Sequence, residues 1–268
     1  MDMLSIPFIQ NAIIGGVILA VLLSILSIFI NLKNWSFINV GISHATFGGL
    51  AVGFYLGLSP TLFGMIFAVI TGVLIGYISR KGNIHEDISI GILFSLSMAF
   101  GVIVITLSPN YNTDLFTFLF GNILTISRED ILMLIAFGIV VTGFIYFNFE
   151  KIMFCCYSEE VAYVSGINTT FYYYSLIIII AIATVLSVKL VGIILSSAMM
   201  IVPAAFASQF FWHYRGILLF SVISSVVMVL WGIYISFIFD LPSGATIVFI
   251  YAAAFVTVVT LKKVFQRR

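Results

Sequence analysis

Charged residues are scarce in this chain. Asp, Glu, Lys and Arg make up 8% of its 268 residues, whereas hydrophobic residues make up 62%. About a quarter of an average soluble domain is charged, so water could not solvate a soluble fold of this composition. The few charges lie between apolar runs long enough to cross a bilayer. We therefore expect a multi-pass protein of the cytoplasmic membrane, and the net charge of +1 indicates no nucleic-acid partner.

Residues for chemistry are also few. The only two cysteines, Cys155 and Cys156, are adjacent, and two thiols alone cannot complete a tetrahedral zinc site. We interpret them as structural or incidental. The sequence has no HExxH pair, no Walker lysine and no glycine-flanked nucleophilic serine. The chain is therefore predicted not to be an enzyme and to bind no cofactor of its own.

The long apolar runs do not alternate with the period of two that β-barrel strands require. They predict an all-α bundle of about nine membrane-spanning helices. A further apolar run, 114–126, is short and contains Gly121 and Asn122, which favours a re-entrant or interfacial helix. The nine predicted spans are 8–32, 38–57, 60–79, 88–108, 130–148, 170–188, 190–211, 217–239 and 244–261.

The basic residues predict the orientation of these spans, because Lys and Arg are retained on the cytoplasmic side. With an external N-terminus and a cytoplasmic C-terminus, only Arg128 and Lys189 lie outside. An even number of spans with a re-entrant first helix would keep the same loops inside. The residues predicted to be cytoplasmic are Lys33, Arg80, Lys81, Lys151, Arg215, Lys262, Lys263, Arg267 and Arg268.

The longest polar interruption, 149–169, falls on the predicted cytoplasmic side. Ser158 can cap a helix, Glu159 and Glu160 suit its first turn, and Gly166 can end it. The pattern predicts a short amphipathic helix. It is either an ordinary connector between two spans or a docking element for a cytoplasmic partner.

One histidine, His44, lies inside a predicted span, near its midpoint. Ionisable groups at that depth usually face a bundle interior or an aqueous cavity, and neutral imidazole is a common ligand of transition metals. His44 is therefore a candidate metal ligand, unless an interhelical hydrogen bond satisfies it. Small residues recur every fourth position beside it, which suits a translocation path or simply close helix packing. These residues are Gly41, Ala45, Gly49, Gly53 and Gly57.

The seventh span contains Pro203, which cannot donate to the carbonyl of Met199 and so predicts a kink. Ser196 and Ser197 lie near the middle of the same span. The three residues form a candidate gate. Kinks and serines of this kind are also common in inert transmembrane helices.

Taken together, the chain resembles the permease subunits of bacterial metal-ion ABC transporters over nearly its whole length. The matching segments are 8–12, 42–45 with the sequence ISHA, 119–124 with LFGNIL, 127–130 with SRED, 159–162 followed by Gly166, 191–205, and 240–248.

The resemblance implies one transmembrane permease domain over 1–268, with a coupling segment at about 149–169 that docks on the ATPase. It also implies a homodimer, a cytoplasmic ATP-binding subunit that carries the ATP, and an extracytoplasmic metal-binding protein. The cargo would be a divalent metal ion, namely zinc, manganese or iron, with His44 as its ligand. The implied coupling residues are Ser158, Glu159, Glu160, Ala162 and Gly166.

Two positions depart from the pattern of that family. Val40 stands where the family usually has an aspartate one turn before the histidine, and Ser158 stands where it tends to have aspartate. Without the carboxylate, His44 alone is a weak site, and backbone carbonyls or Asn39 are the remaining donors. The alternative functions are a passive metal channel or sensor without an ATPase, and an intramembrane metal-dependent enzyme.

The orientation can be tested with single cysteines in a protein that lacks Cys155 and Cys156. We expect Lys81→Cys and Arg215→Cys to be shielded from an impermeant thiol reagent in intact cells, because both positions are predicted to be cytoplasmic. Arg128→Cys should be labelled. Labelling of the first two variants in sealed cells would reverse the orientation.

Overall fold

The structure is a computed structural model, and it describes residues 7–107, 123 and 126–265. The described residues contain helices and no strands. This confirms the predicted all-α class. The nine helices of these residues are α1 (Pro7–Leu32), α2 (Ile38–Leu56), α3 (Pro60–Gly82), α4 (Glu86–Thr106), α5 (Arg128–Tyr157), α6 (Glu159–Val164), α7 (Thr169–Ala207), α8 (Tyr214–Phe239) and α9 (Ser243–Phe265).

Seven of these helices are long and apolar enough to cross a membrane, by length and composition: α1, α3, α4, α5, α7, α8 and α9. The predicted spans 170–188 and 190–211 both lie within α7, which consists of two helical stretches joined across a kink at Gly192, close to the predicted boundary between them. The predicted second span is α2, which is not among the seven and contains four glycines and several buried polar residues. Of the predicted helix at 114–126, all but residues 123 and 126 lies outside the described residues.

Helix α7 departs from regular helical backbone at Gly192, where φ is 81° and ψ is 168°. Pro203, at which the sequence predicts a kink, lies inside the helix, and that kink stays a prediction. Only glycine adopts this combination of φ and ψ at little cost, which explains why α7 breaks at Gly192.

The backbone around Pro203 is supported by polar side chains of α1. The amide of Ala204 donates to Ser27 Oγ over 3.1 Å, and the amide of Asn31 donates to the carbonyl of Ile201 over 3.0 Å. Both bonds join α1 to the backbone on either side of Pro203, and neither reaches the carbonyl of Met199, to which the proline cannot donate.

The described helices fall into two compact units. The first comprises Met1–Asn31, Asn122–Thr142 and Leu190–Arg268, and the second comprises Leu32–Gly121 and Gly143–Lys189. The single permease domain over 1–268 stays a prediction.

In the first unit, α8 and α9 meet where α8 has a glycine. A Cβ atom at Gly232 would lie 2.8 Å from the Cα of Ile247. Nearby, the hydroxyls of Ser224 and Tyr251 are 2.8 Å apart, and both are buried. Close packing and a buried hydrogen bond thus hold this helix pair.

In the second unit, α2 packs against both α3 and α4. A Cβ atom at Gly49 would lie 2.5 Å from the carbonyl oxygen of Phe63, and one at Gly53 would lie 2.7 Å from the Cα of Pro60. On the α4 side, a Cβ atom at Gly41 would lie only 2.4 Å from a methyl group of Ile90. The predicted close packing of the small-residue stripe is confirmed at these positions, whereas Gly57 ends the helix in a left-handed conformation.

We expect Gly49→Ala to destabilise the protein, because the new methyl group would meet backbone atoms of α3. Overpacking of this kind costs about 1–3 kcal/mol. Gly91→Ala in α4 is the matched control, since no atom lies within 4 Å of the position of its Cβ. The melting temperatures of the two variants, purified in detergent, check this. Equal melting temperatures would show that α3 can shift away.

Candidate functional site

His44 lies on α2 and is partly buried. Its ring meets the ring of Phe94 on α4 edge-on, with centroids 5.0 Å apart. Within the described residues, the buried Nδ1 atom has no hydrogen-bond partner. No interhelical hydrogen bond through Nδ1 is therefore seen among the described residues. The role as a metal ligand stays a prediction.

Two more buried polar atoms on the same pair of helices are without partners in the described part of the chain. They are the hydroxyls of Ser43 on α2 and Ser89 on α4, which are 1% and 0% exposed. A buried polar group without a partner costs about 1–3 kcal/mol. The indole nitrogen of Trp35 and the hydroxyl of Tyr173 likewise lack partners in the described part of the chain, so the α2–α4 pair is not alone in this.

The other donors considered near His44 are less available. Asn39 is fully buried, and its side-chain oxygen accepts a hydrogen bond from Thr184 of α7 over 2.5 Å. Val40 contributes no donor. No cluster of three or more His, Cys, Asp or Glu side chains that could hold a metal occurs among the described residues. His44 is thus not part of a three-residue metal-binding cluster in this part of the chain.

The short helix predicted at 158–166 is present as α6. The hydroxyl of Ser158 caps it by accepting from the amide of Val161 over 3.4 Å. At its end, Gly166 has a φ of 81°, its amide donates to the carbonyl of Tyr163, and that of Ile167 donates to the carbonyl of Ala162, both over 3.0 Å. These two bonds form a Schellman motif.

Helix α6 has one buried and one exposed side. Ala162 is fully buried, whereas Val161, Tyr163 and Val164 are 52%, 73% and 86% exposed, and Glu160 is exposed beside them. A cluster of exposed apolar side chains with a carboxylate is typical of an interaction site. We call Glu160, Val161, Tyr163 and Val164 the outer face of α6.

Glu159, which was grouped with the coupling residues, contacts its own chain. Its carboxylate forms an ion pair with Arg80 in the last turn of α3, and its second oxygen lies 3.5 Å from Nζ of Lys33, just after α1. Burial lowers the pKa of Lys33, and it is the largest of the several effects on that pKa. Arg80 is therefore the more robust partner, since a guanidinium keeps its charge.

Arg80 also contacts aromatic residues that the sequence did not single out. Its guanidinium carbon lies 3.9 Å from the ring centroid of Tyr173 on α7, within the range of a cation–π contact. Tyr173 in turn packs edge-on against Trp35, with centroids 5.2 Å apart. A small cavity beside them is lined by Cys155 and Cys156, among others. In the sequence, the basic residues were used only to predict the orientation of the spans. Arg80 and Glu159 both fall on the predicted cytoplasmic side, and this shared location was a signal that they could form an ion pair.

The candidate gate residues all lie after Gly192 on α7. Ser196 and Pro203 are buried and Ser197 is partly exposed. Their role as a gate stays a prediction. The hinge-like backbone in this helix is at Gly192, to which the sequence analysis gave no role.

The fold is that of a polytopic α-helical membrane protein. Residues 5–262 match the ABC 3 transport family, so the chain belongs to this family and is a transport subunit rather than an enzyme. It is 30% identical to "Manganese transport system membrane protein MntC" of Halalkalibacterium halodurans, over 95% of this chain and 87% of the relative. It is 32% identical to "Manganese import system permease protein ScaB" of Streptococcus gordonii, over 92% and 89%.

A solved structure is similar as well. "PsaBC from Streptococcus pneumoniae in complex with Fab" superposes with a TM-score of 0.82 at 30% identity, covering 95% of this chain and 92% of the other. The likeness confirms the predicted resemblance to metal-ion ABC permeases and the corresponding fold.

We expect Gly166→Val to disrupt the end of α6, because a β-branched residue at a positive φ costs about 1–3 kcal/mol. Gly166→Asn is the matched control, since asparagine tolerates the left-handed region. Hydrogen exchange over 158–167 checks this, with faster exchange expected in the valine variant only. Equal protection in both variants would show that the cap does not need glycine.

Proposed function

We propose that this chain is the permease subunit of an ATP-driven importer of divalent transition-metal ions, with manganese as the first candidate cargo. The observation that carries the proposal is His44, a partly buried imidazole whose Nδ1 lacks a partner among the described residues, in a chain whose relatives include manganese transport proteins. The choice of manganese rests on these relatives, because imidazole by itself suits zinc and iron, whereas manganese prefers oxygen donors. Zinc and iron remain alternative cargoes.

The single histidine makes a homodimer part of the proposal. One imidazole binds a metal ion weakly, and a symmetric second copy would contribute a second His44. Carbonyl oxygens or water would complete the coordination. Weak binding suits a translocation path, because an ion must leave the site as well as enter it.

The ATP-binding partner is proposed from the outer face of α6. Its exposed side chains, Val161, Tyr163 and Val164, offer an apolar contact to a cytoplasmic subunit. A passive channel or sensor has no use for such a surface, which favours the importer. The family of the chain excludes the intramembrane enzyme. ATP would be held by the partner subunit, and an extracytoplasmic binding protein would deliver the metal.

The proposed mechanism is alternating access. Closure of the ATPase subunits would displace α6, and the helices around His44 would change between two packings. Within the described residues, such a change meets little steric cost at two places. These are the glycine contacts of α2 and the break at Gly192.

The test is ATP-dependent uptake of Mn²⁺ by the complex in proteoliposomes. We expect His44→Ala to lower uptake by about tenfold or more, since losing even an outer-shell partner of a metal costs about 10–100-fold. His85→Ala is the matched control, because His85 is exposed and its side chain caps no backbone group. Val40→Asp should bind Mn²⁺ more tightly and release it more slowly.

Normal uptake by His44→Ala would refute the role of His44 as a ligand. If this variant instead melts at a lower temperature and transports normally per folded complex, the histidine is structural. Uptake by the wild-type permease without ATP or its partner would favour a channel.

A further inference from the structure

Glu159 begins α6, yet its carboxylate points away from the outer face. It contacts Arg80 of α3 and lies 3.5 Å from Nζ of Lys33, and its side chain is 37% exposed. Glu160, its neighbour, is exposed. The two adjacent glutamates therefore differ in what they contact, although the sequence alone treats them alike.

The contacts continue beyond Arg80. Nη1 of Arg80 donates to the hydroxyl of Thr170 over 3.2 Å at the start of α7, while the guanidinium covers the ring of Tyr173. Tyr173 contacts Trp35, which is 1% exposed and lies in the segment between α1 and α2. One carboxylate is thus linked to α3, to α7 and to the segment that leads into α2, the helix of His44.

The Glu159–Arg80 ion pair is weak enough to suit elements that move relative to one another. An ion pair this exposed contributes little to stability, so it can break and re-form. The carboxylate also has two cations within reach, Lys33 and Arg80, and a change of partner would give two discrete arrangements of the same elements.

We infer that Glu159 is a positioning residue that transmits displacement of α6 to α3 and to the Trp35 segment, and is not itself a contact of the ATPase. The inference rests on the proposed function, in which α6 docks on an ATP-binding subunit. It divides the predicted coupling residues into two sets. The outer face binds the partner, and Glu159 with Arg80 passes the motion on.

The first experiment measures Mn²⁺ uptake per ATP hydrolysed by the reconstituted complex. We expect Glu159→Gln to keep the ATPase bound and active but to lower uptake per ATP at least about fivefold, the lower end of typical coupling effects. Arg80→Gln should act alike, and the double variant Glu159→Arg with Arg80→Glu should recover part of the loss. Asp87→Asn, at an exposed carboxylate on α4 of the same unit and outside the coupling segment, is the matched control and should be unchanged.

The second experiment needs no metal. Cys156 lines the cavity beside Glu159 and Tyr173, so its alkylation in a Cys155→Ser background reports on this region. In the complex, a non-hydrolysable ATP analogue should change the alkylation rate when Glu159 is present, and Glu159→Gln should abolish that change. Asp87→Asn should keep it.

The outcomes separate the two hypotheses. If the wild-type complex shows no ATP-dependent Mn²⁺ uptake, the proposed function fails, while nucleotide-dependent alkylation still tests Glu159. Wild-type uptake per ATP and alkylation in Glu159→Gln would overturn the inference. Loss of the ATPase from Glu159→Gln, with retention by Asp87→Asn, would overturn it too, because Glu159 would then be a docking contact.

Discussion

Helix α2 approaches the backbones of its neighbours where it carries no Cβ atom. At Gly49 and Gly53 even a methyl group would collide with α3. In a bilayer, lipid tails are as apolar as side chains, so helices associate through close packing and interhelical hydrogen bonds rather than through the hydrophobic effect. The position of His44 and the unpartnered hydroxyl of Ser43 depend on this close contact. The same contact holds α2 against the helices through which any movement must reach it.

The polar groups of the second unit are arranged in two regions with different character. Around His44, buried polar atoms lack partners in the described residues. Around Glu159, charged groups are partly exposed and have several partners each. The first arrangement costs energy and suits a site that a passing ion would satisfy for a short time. The second is nearly neutral in energy and suits contacts that are exchanged during a conformational cycle.

Local features of the chain could be predicted from the sequence, and tertiary ones could not. Ser158 and Gly166 identify α6 because capping and a positive φ are decided within a few residues. Gly192 was missed because a glycine inside a long apolar run has no local signal that separates tight packing from a break, and Pro203 offered a more familiar cause. The inward direction of Glu159 was missed because it depends on Arg80, 79 positions away in the sequence.

The chain contains three tryptophans, and they occupy contrasting surroundings. Trp212 and Trp231 are 97% and 57% exposed on the surface of the protein, whereas Trp35 is buried against Tyr173. Indole emission shifts with the polarity around the ring. A protein with only Trp35 left would therefore carry a native fluorophore next to the aromatic and cationic residues that connect α3, α7 and the start of α2. Because Trp35 is packed into this region, changes there can be followed by its intrinsic fluorescence without attaching an extrinsic label.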